Sequence, residues 1–72
     1  MSYWNYRVIA RKYDDNYVEF GIYETYYDED DKPHSISSDE MSPHGETLAE
    51  LTDDLYKMKQ ALEKPVLQYE DF

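Results

Sequence analysis

Two runs of alternating side chains, separated only by Asp14, Asp15 and Asn16, constrain this chain more than any other feature. In "WNYRVIARKY", residues 4–13, Trp4, Tyr6, Val8 and Ala10 fall on one side, and Asn5, Arg7, Ile9 and Arg11 on the other. Period two is the signature of a strand, and Ile9 is the one misfit on the polar side. In "YVEFGIYETYY", residues 17–27, Val18, Phe20 and Ile22 alternate in the same way with Glu19, Tyr23 and Thr25. Asp and Asn bond their own nearby backbone and tolerate left-handed geometry, so the tripeptide between the runs reads as a turn. Two strands across so short a turn make a β-hairpin.

A second turn is expected at "DEDDKP", residues 28–33, where four consecutive acids repel one another and Pro33 cannot donate to a sheet ladder. A short third strand then fits around Ser35 to Ser38 with Ile36 inward, and "DEMSPHG" leads on to a helix. Thr47, followed three residues later by Glu50, is a capping box: the Thr hydroxyl takes the Glu50 amide proton and the Glu carboxylate returns to the Thr47 amide. Leu48, Leu51, Leu55, Met58 and Leu62 follow at steps of three or four, an apolar stripe that suits packing on a sheet. Acids gather in the first turns and lysines toward the end, matching the helix dipole, and Pro65 closes the segment. The tail "VLQYEDF", residues 66–72, has no helical period and must dock as an edge strand or across the sheet to avoid fraying.

These elements predict an α+β fold in one domain, residues 1–72. A hairpin extended to a three-stranded antiparallel sheet carries one C-terminal helix on one face, with a short tail over 65–72. The predicted core is Trp4, Tyr6, Val8, Phe20, Ile22, Leu48, Leu51, Leu55, Met58 and Leu62, so that Leu55→Ala is expected to cost about 2–5 kcal/mol. A chain of this length buries only about 60% of its unfolded surface, which favours a partner or self-association. An exposed sheet edge leaves room for a homodimer.

Charge narrows the function. Seventeen acids against seven Lys and Arg leave a formal charge of −10. Direct binding to nucleic-acid phosphates requires cations that displace counterions, and this chain has too few. Aromatic residues make up 17% of the chain, nine of them tyrosine, which separates it from a disordered acidic tail. There is no cysteine for disulfides or thiolate metal sites, and no run approaches the roughly 18 apolar residues of a membrane span. A soluble, cytoplasmic protein is expected.

No pattern supports catalysis. Nucleophile elbow, phosphate loop and HExxH are all missing, and His34 and His44 sit in edge or loop positions beside prolines. "DEDDK" begins like a calcium loop, but Lys32 and Pro33 stand where an EF-hand needs an acid or amide and a glycine. No enzyme activity, cofactor or metal is predicted.

Two groups remain as candidates for binding a partner. Tyr3, Tyr13, Tyr17, Tyr23 and Tyr27 share the face opposite Trp4, Phe20 and Ile22; they either build the sheet or form a protein-binding surface, for which Tyr23 and Tyr27 are the chosen residues. The carboxylates Asp28, Glu29, Asp30 and Asp31, with Asp39, Glu40, Glu50, Asp53 and Asp54, either solubilise the surface or imitate phosphates toward a basic nucleic-acid-binding protein.

The order strand, strand, strand, helix, with "GETLAEL" opening the helix, resembles the HicB family of antitoxins, where that helix typically begins in a G-x-T-x-x-E-A stretch. Gly45, Thr47 and Glu50 match it, while Leu51 stands where the family has a small residue, and the family's proline-glycine segment is replaced by "YYDEDDKPH". The resemblance implies a partial RNase H-like sheet and a role in covering a basic, RNA-handling toxin. In size and charge the chain is also similar to the small acidic anti-CRISPR and anti-restriction proteins of phages. The leading expectation is a non-catalytic, mobile-element inhibitor acting by nucleic-acid mimicry, and the alternative is an antitoxin-like regulator.

Overall fold

The computed structural model describes residues 3–72 and is α+β. The hairpin pairs β1 (Trp4–Asp14) with β2 (Tyr17–Tyr27) in the register Val8 to Ile22 and Ala10 to Phe20, which puts the even-numbered residues on one face. Its turn is held as the composition predicts: the Asn16 amide donates to the Asp14 carboxylate at 2.8 Å. The third strand, β3 (Pro33–Ile36), pairs antiparallel with β2 through Thr25 to Ile36 and Tyr26 to Ser35. It begins at Pro33, two residues before the expected Ser35, and ends before Ser37, because Pro33 at the strand's first position faces Tyr27 without having to donate.

The sheet has four strands, not three, and is mixed. After helix α1 (Leu48–Ala61), the two-residue β4 (Leu67–Gln68) lies parallel to β1 beside Ile9 and Ala10, giving the order β3-β2-β1-β4. The helix supplies the crossover that a parallel neighbour requires. A 3-10 turn over Tyr69–Asp71 follows.

Helix α1 starts as read. Thr47 is the N-cap and its hydroxyl accepts the Glu50 amide at 3.1 Å. The Glu50 carboxylate, however, accepts from the Glu46 amide at 3.2 Å rather than from that of Thr47. Gly45 is required here because a Cβ at that position would lie 2.4 Å from the Leu51 nitrogen.

The helix meets the sheet along Leu51, Asp54, Met58 and Ala61; of the predicted stripe only Leu51 and Met58 turn inward. Met58 and Ala61 pack with Tyr6 and Val8, flanked by Ile22 and Met41. Trp4, Phe20, Leu48, Leu55 and Leu62, all expected in the core, are exposed, Phe20 and Leu62 at 68% each. There are two causes. The Tyr6 hydroxyl donates to the Asp54 carboxylate at 2.6 Å and turns that side of the helix inward. The helix also spans about 21 Å against about 36 Å for the long strands, so it leaves the hairpin's far half uncovered. Because Leu55 is 48% exposed, Leu55→Ala should cost about 1 kcal/mol instead of 2–5, as a urea titration would show.

The opposite face carries the second half of the core. Ile9 and Thr25 are fully buried, and Arg7, Tyr23 and Tyr27 nearly so. The tail crosses this face: Arg7 donates to the Pro65 carbonyl and to the Tyr27 hydroxyl, each at 2.8 Å, and the Arg11 guanidinium lies 4.2 Å from the centre of the Tyr69 ring. Ile9, the misfit of the alternation, is what this cover buries.

Candidate functional site

Two exposed features stand out among the described residues, an apolar groove and a set of carboxylates. The groove runs between α1 and β2, with a volume of about 530 Å³. Phe20 and Ile22 form its sheet wall, Met41 and Pro43 one end, and Leu55, Met58 and Leu62 its helix wall. Glu40 and Lys59 are the charged residues on its rim. It exists because the helix is rotated: the leucines displaced from the sheet contact line one side, and the uncovered part of β2 lines the other. The leucine stripe and Phe20 were visible in the sequence; that they line a groove depends on the helix rotation.

The candidate carboxylates divide by task. Asp28 folds its own turn, accepting the Asp30 amide at 2.9 Å and the Lys32 amide at 3.1 Å, and the Lys32 amide above all holds its carboxyl below the ordinary value. Asp31, in the same turn, takes the left-handed conformation at φ 60°. Glu50 caps the helix, and Asp54 ties Tyr6 to the His44 amide, the latter at 2.9 Å. Glu29, Asp30, Asp31, Asp39, Glu40 and Asp53 are exposed, Asp53 in an ion pair with Lys57 at 3.1 Å. Glu50, Asp53 and Asp54 meet Glu24 of β2 and His44 around a shallow cavity of about 350 Å³, a gathering of charge that includes one acid the sequence reading passed over. Among the described residues, no three His, Asp or Glu side chains converge as a metal ion would need.

Tyr23 and Tyr27 lie elsewhere. Both are buried beneath the tail on the face opposite the helix, Tyr23 against Tyr69 and Tyr27 stacked on Tyr3 at 4.6 Å. They are packing residues, and the tyrosine-rich surface expected from the alternation is closed at these positions. The reason is the tail, which needs a partly apolar face to dock on. His34 and His44 are both exposed.

Asp54 gives the site a pH dependence. The Tyr6 hydroxyl, more than the His44 amide, holds its carboxyl below the ordinary value, while burial pushes the Tyr6 hydroxyl up. A carboxylate with a lowered folded-state pKa stabilises the fold above its unfolded value of about 4 and loses that contribution as pH falls through the folded value. Thermal melts of Tyr6→Phe should therefore show a shallower loss of stability below pH 4 than the parent chain. Parallel acid slopes would contradict the role given to this pair.

Comparison with known proteins finds no family model, no curated protein and no solved structure that matches this chain. Among the described residues, no helix is long and apolar enough to cross a membrane.

Proposed function

We propose that this chain is a non-catalytic, acidic protein-binding module of the cytoplasm, whose partner is a basic, nucleic-acid-handling protein. The observation that carries the reading is the groove: Phe20, Leu55 and Leu62 line one exposed apolar surface between the sheet and the helix. Contiguous apolar surface of this kind marks interaction sites, and anchors in a groove contribute most of the affinity. The formal charge of −10 supplies the rest: it steers a cationic partner and opposes nucleic acid itself. Exposed carboxylates at the β2–β3 turn, with Asp39 and Glu40 beyond β3, supply the phosphate-like charges that inhibition by nucleic-acid mimicry requires. An antitoxin-like role toward a basic toxin is the second reading, favoured by the three strands followed by a helix capped at Thr47.

The test is affinity capture from the host lysate with two variants that spare the structural carboxylates. Leu62→Lys blocks the groove, and Glu29→Lys with Asp30→Lys and Asp39→Lys reverses exposed charge. Each should reduce capture of a basic nucleic-acid-binding protein at least about tenfold, equivalent to about 1.4 kcal/mol, with the melting curve retained. High salt should release the captured protein, and added duplex DNA should compete for it. Capture unchanged by both variants would dismiss the reading.

A further inference from the structure

Beside the groove, β2 carries an edge whose main chain is paired, among the described residues, only as far as Ile22, with the Glu40 side chain lying against Gly21. The Ile22 carbonyl accepts the Met41 amide at 2.7 Å and the Glu24 carbonyl accepts the Ser37 amide at 2.9 Å, so the even-numbered residues of β2 direct their main-chain groups away from β1. Strand alternation places the N–H and C=O groups of Val18 and Phe20 on that same outer edge. The ladder to β3 covers only Thr25 to Tyr27, and the following segment reaches no further than Ile22. Among the described residues, the main-chain groups of Val18 and Phe20 therefore have no partner on this edge. Their side chains point to the groove face, and both are exposed. A protein ordinarily blunts such an edge with charge or proline or covers it, and here the edge residues on the groove's side of the sheet are valine and phenylalanine, of which Phe20 lines the groove.

We infer that this edge takes an extended, basic segment of the partner by antiparallel strand addition, continuing the sheet past Met41. The inference rests on the groove reading above and specifies the mode of contact. An extended segment alone meets both demands of the site, because its main chain satisfies Val18 and Phe20 while every second side chain enters the groove. Charge selects against a second copy, which would bring another −10 and, paired about the middle of this edge, set Glu19 against its own counterpart. Cationic side chains on the alternate positions of the incoming strand would face Glu19 instead.

The experiment uses the full chain, labelled with ¹⁵N, and a synthetic eight-residue peptide alternating lysine and valine. Two versions of the peptide test the main chain directly. In antiparallel pairing the residue opposite Phe20 shares its face and donates to its carbonyl, so the valine amides make the bonds. A peptide N-methylated at its valines should bind at least tenfold more weakly, and one N-methylated at its lysines should bind as the parent does. The parent peptide should also slow hydrogen exchange at the Val18 and Phe20 amides at least tenfold. Equal binding by both methylated peptides, or no exchange protection at these amides, overturns strand addition. The groove reading is judged separately by the Leu62→Lys capture. A dimer of the free chain in sedimentation that Phe20→Lys dissociates would assign the edge to a second copy and likewise overturn the proposal.

Discussion

A chain ending at Lys64 should fail to fold stably. Residues 65–72 contribute β4, the carbonyl that receives Arg7, the ring beneath Arg11 and the lid over Ile9. Exposing Ile9 alone removes about 1.5–3 kcal/mol of burial. Losing the cation–π contact removes about 1 kcal/mol more, and the lost ladder bonds and the stranded guanidinium add to this. The total approaches the roughly 4–10 kcal/mol that a chain of this size has available. Circular dichroism melts should show either no cooperative transition or a midpoint lowered by at least about 15 °C. A truncated chain melting within about 5 °C of the parent would show that the hairpin and helix stand without the tail.

Arg7→Ala should be the most damaging single substitution at a polar position, at about 3–4 kcal/mol. Arg7 is 92% buried, given an exposure of 8%, and its terminal nitrogens join two parts of the chain, Tyr27 of β2 and Pro65 of the tail. Alanine leaves the Tyr27 hydroxyl and the Pro65 carbonyl without their donor and opens space beneath the tail. Lysine cannot repair this, because one ammonium does not reproduce the planar fork that reaches both acceptors. Arg7→Lys should thus recover less than half of the loss in urea titrations. Recovery close to the parent would show that charge alone matters there.

Arg7 also shows where reading a sequence stops. Its place opposite Trp4 in the alternation was legible, and so was the face it shares with Tyr23 and Tyr27. That this face is buried was not, because the covering segment is the tail, which has no period of its own. The single clue was Ile9, an apolar residue on a face otherwise read as polar. The candidate site behaved similarly. Leu55, Leu62 and Phe20 were recognised as an apolar set, but their side of the helix faces a groove because Asp54 is drawn to Tyr6 across 48 residues of sequence. Glu50 was legible as part of the helix cap, whereas Asp28 and Asp54 were recognised only as acids of two clusters, and their structural duties appear only when the groups they accept from are in place.

By itself the sequence determined the two long strands, the turn between them and the capped start of the helix, and it placed a third strand within two residues of its observed bounds. Each depends on interactions within a few residues, namely side-chain alternation, a carboxylate or hydroxyl bonding a nearby amide, and proline lacking a donor. The tertiary structure decided the rotation of the helix, the fourth strand, the closing of the second face and the opening of the groove. Those depend on which distant groups satisfy one another, Tyr6 with Asp54 and Arg7 with Pro65. Such pairings are chosen by the free energy of the whole assembled fold, which no local pattern carries.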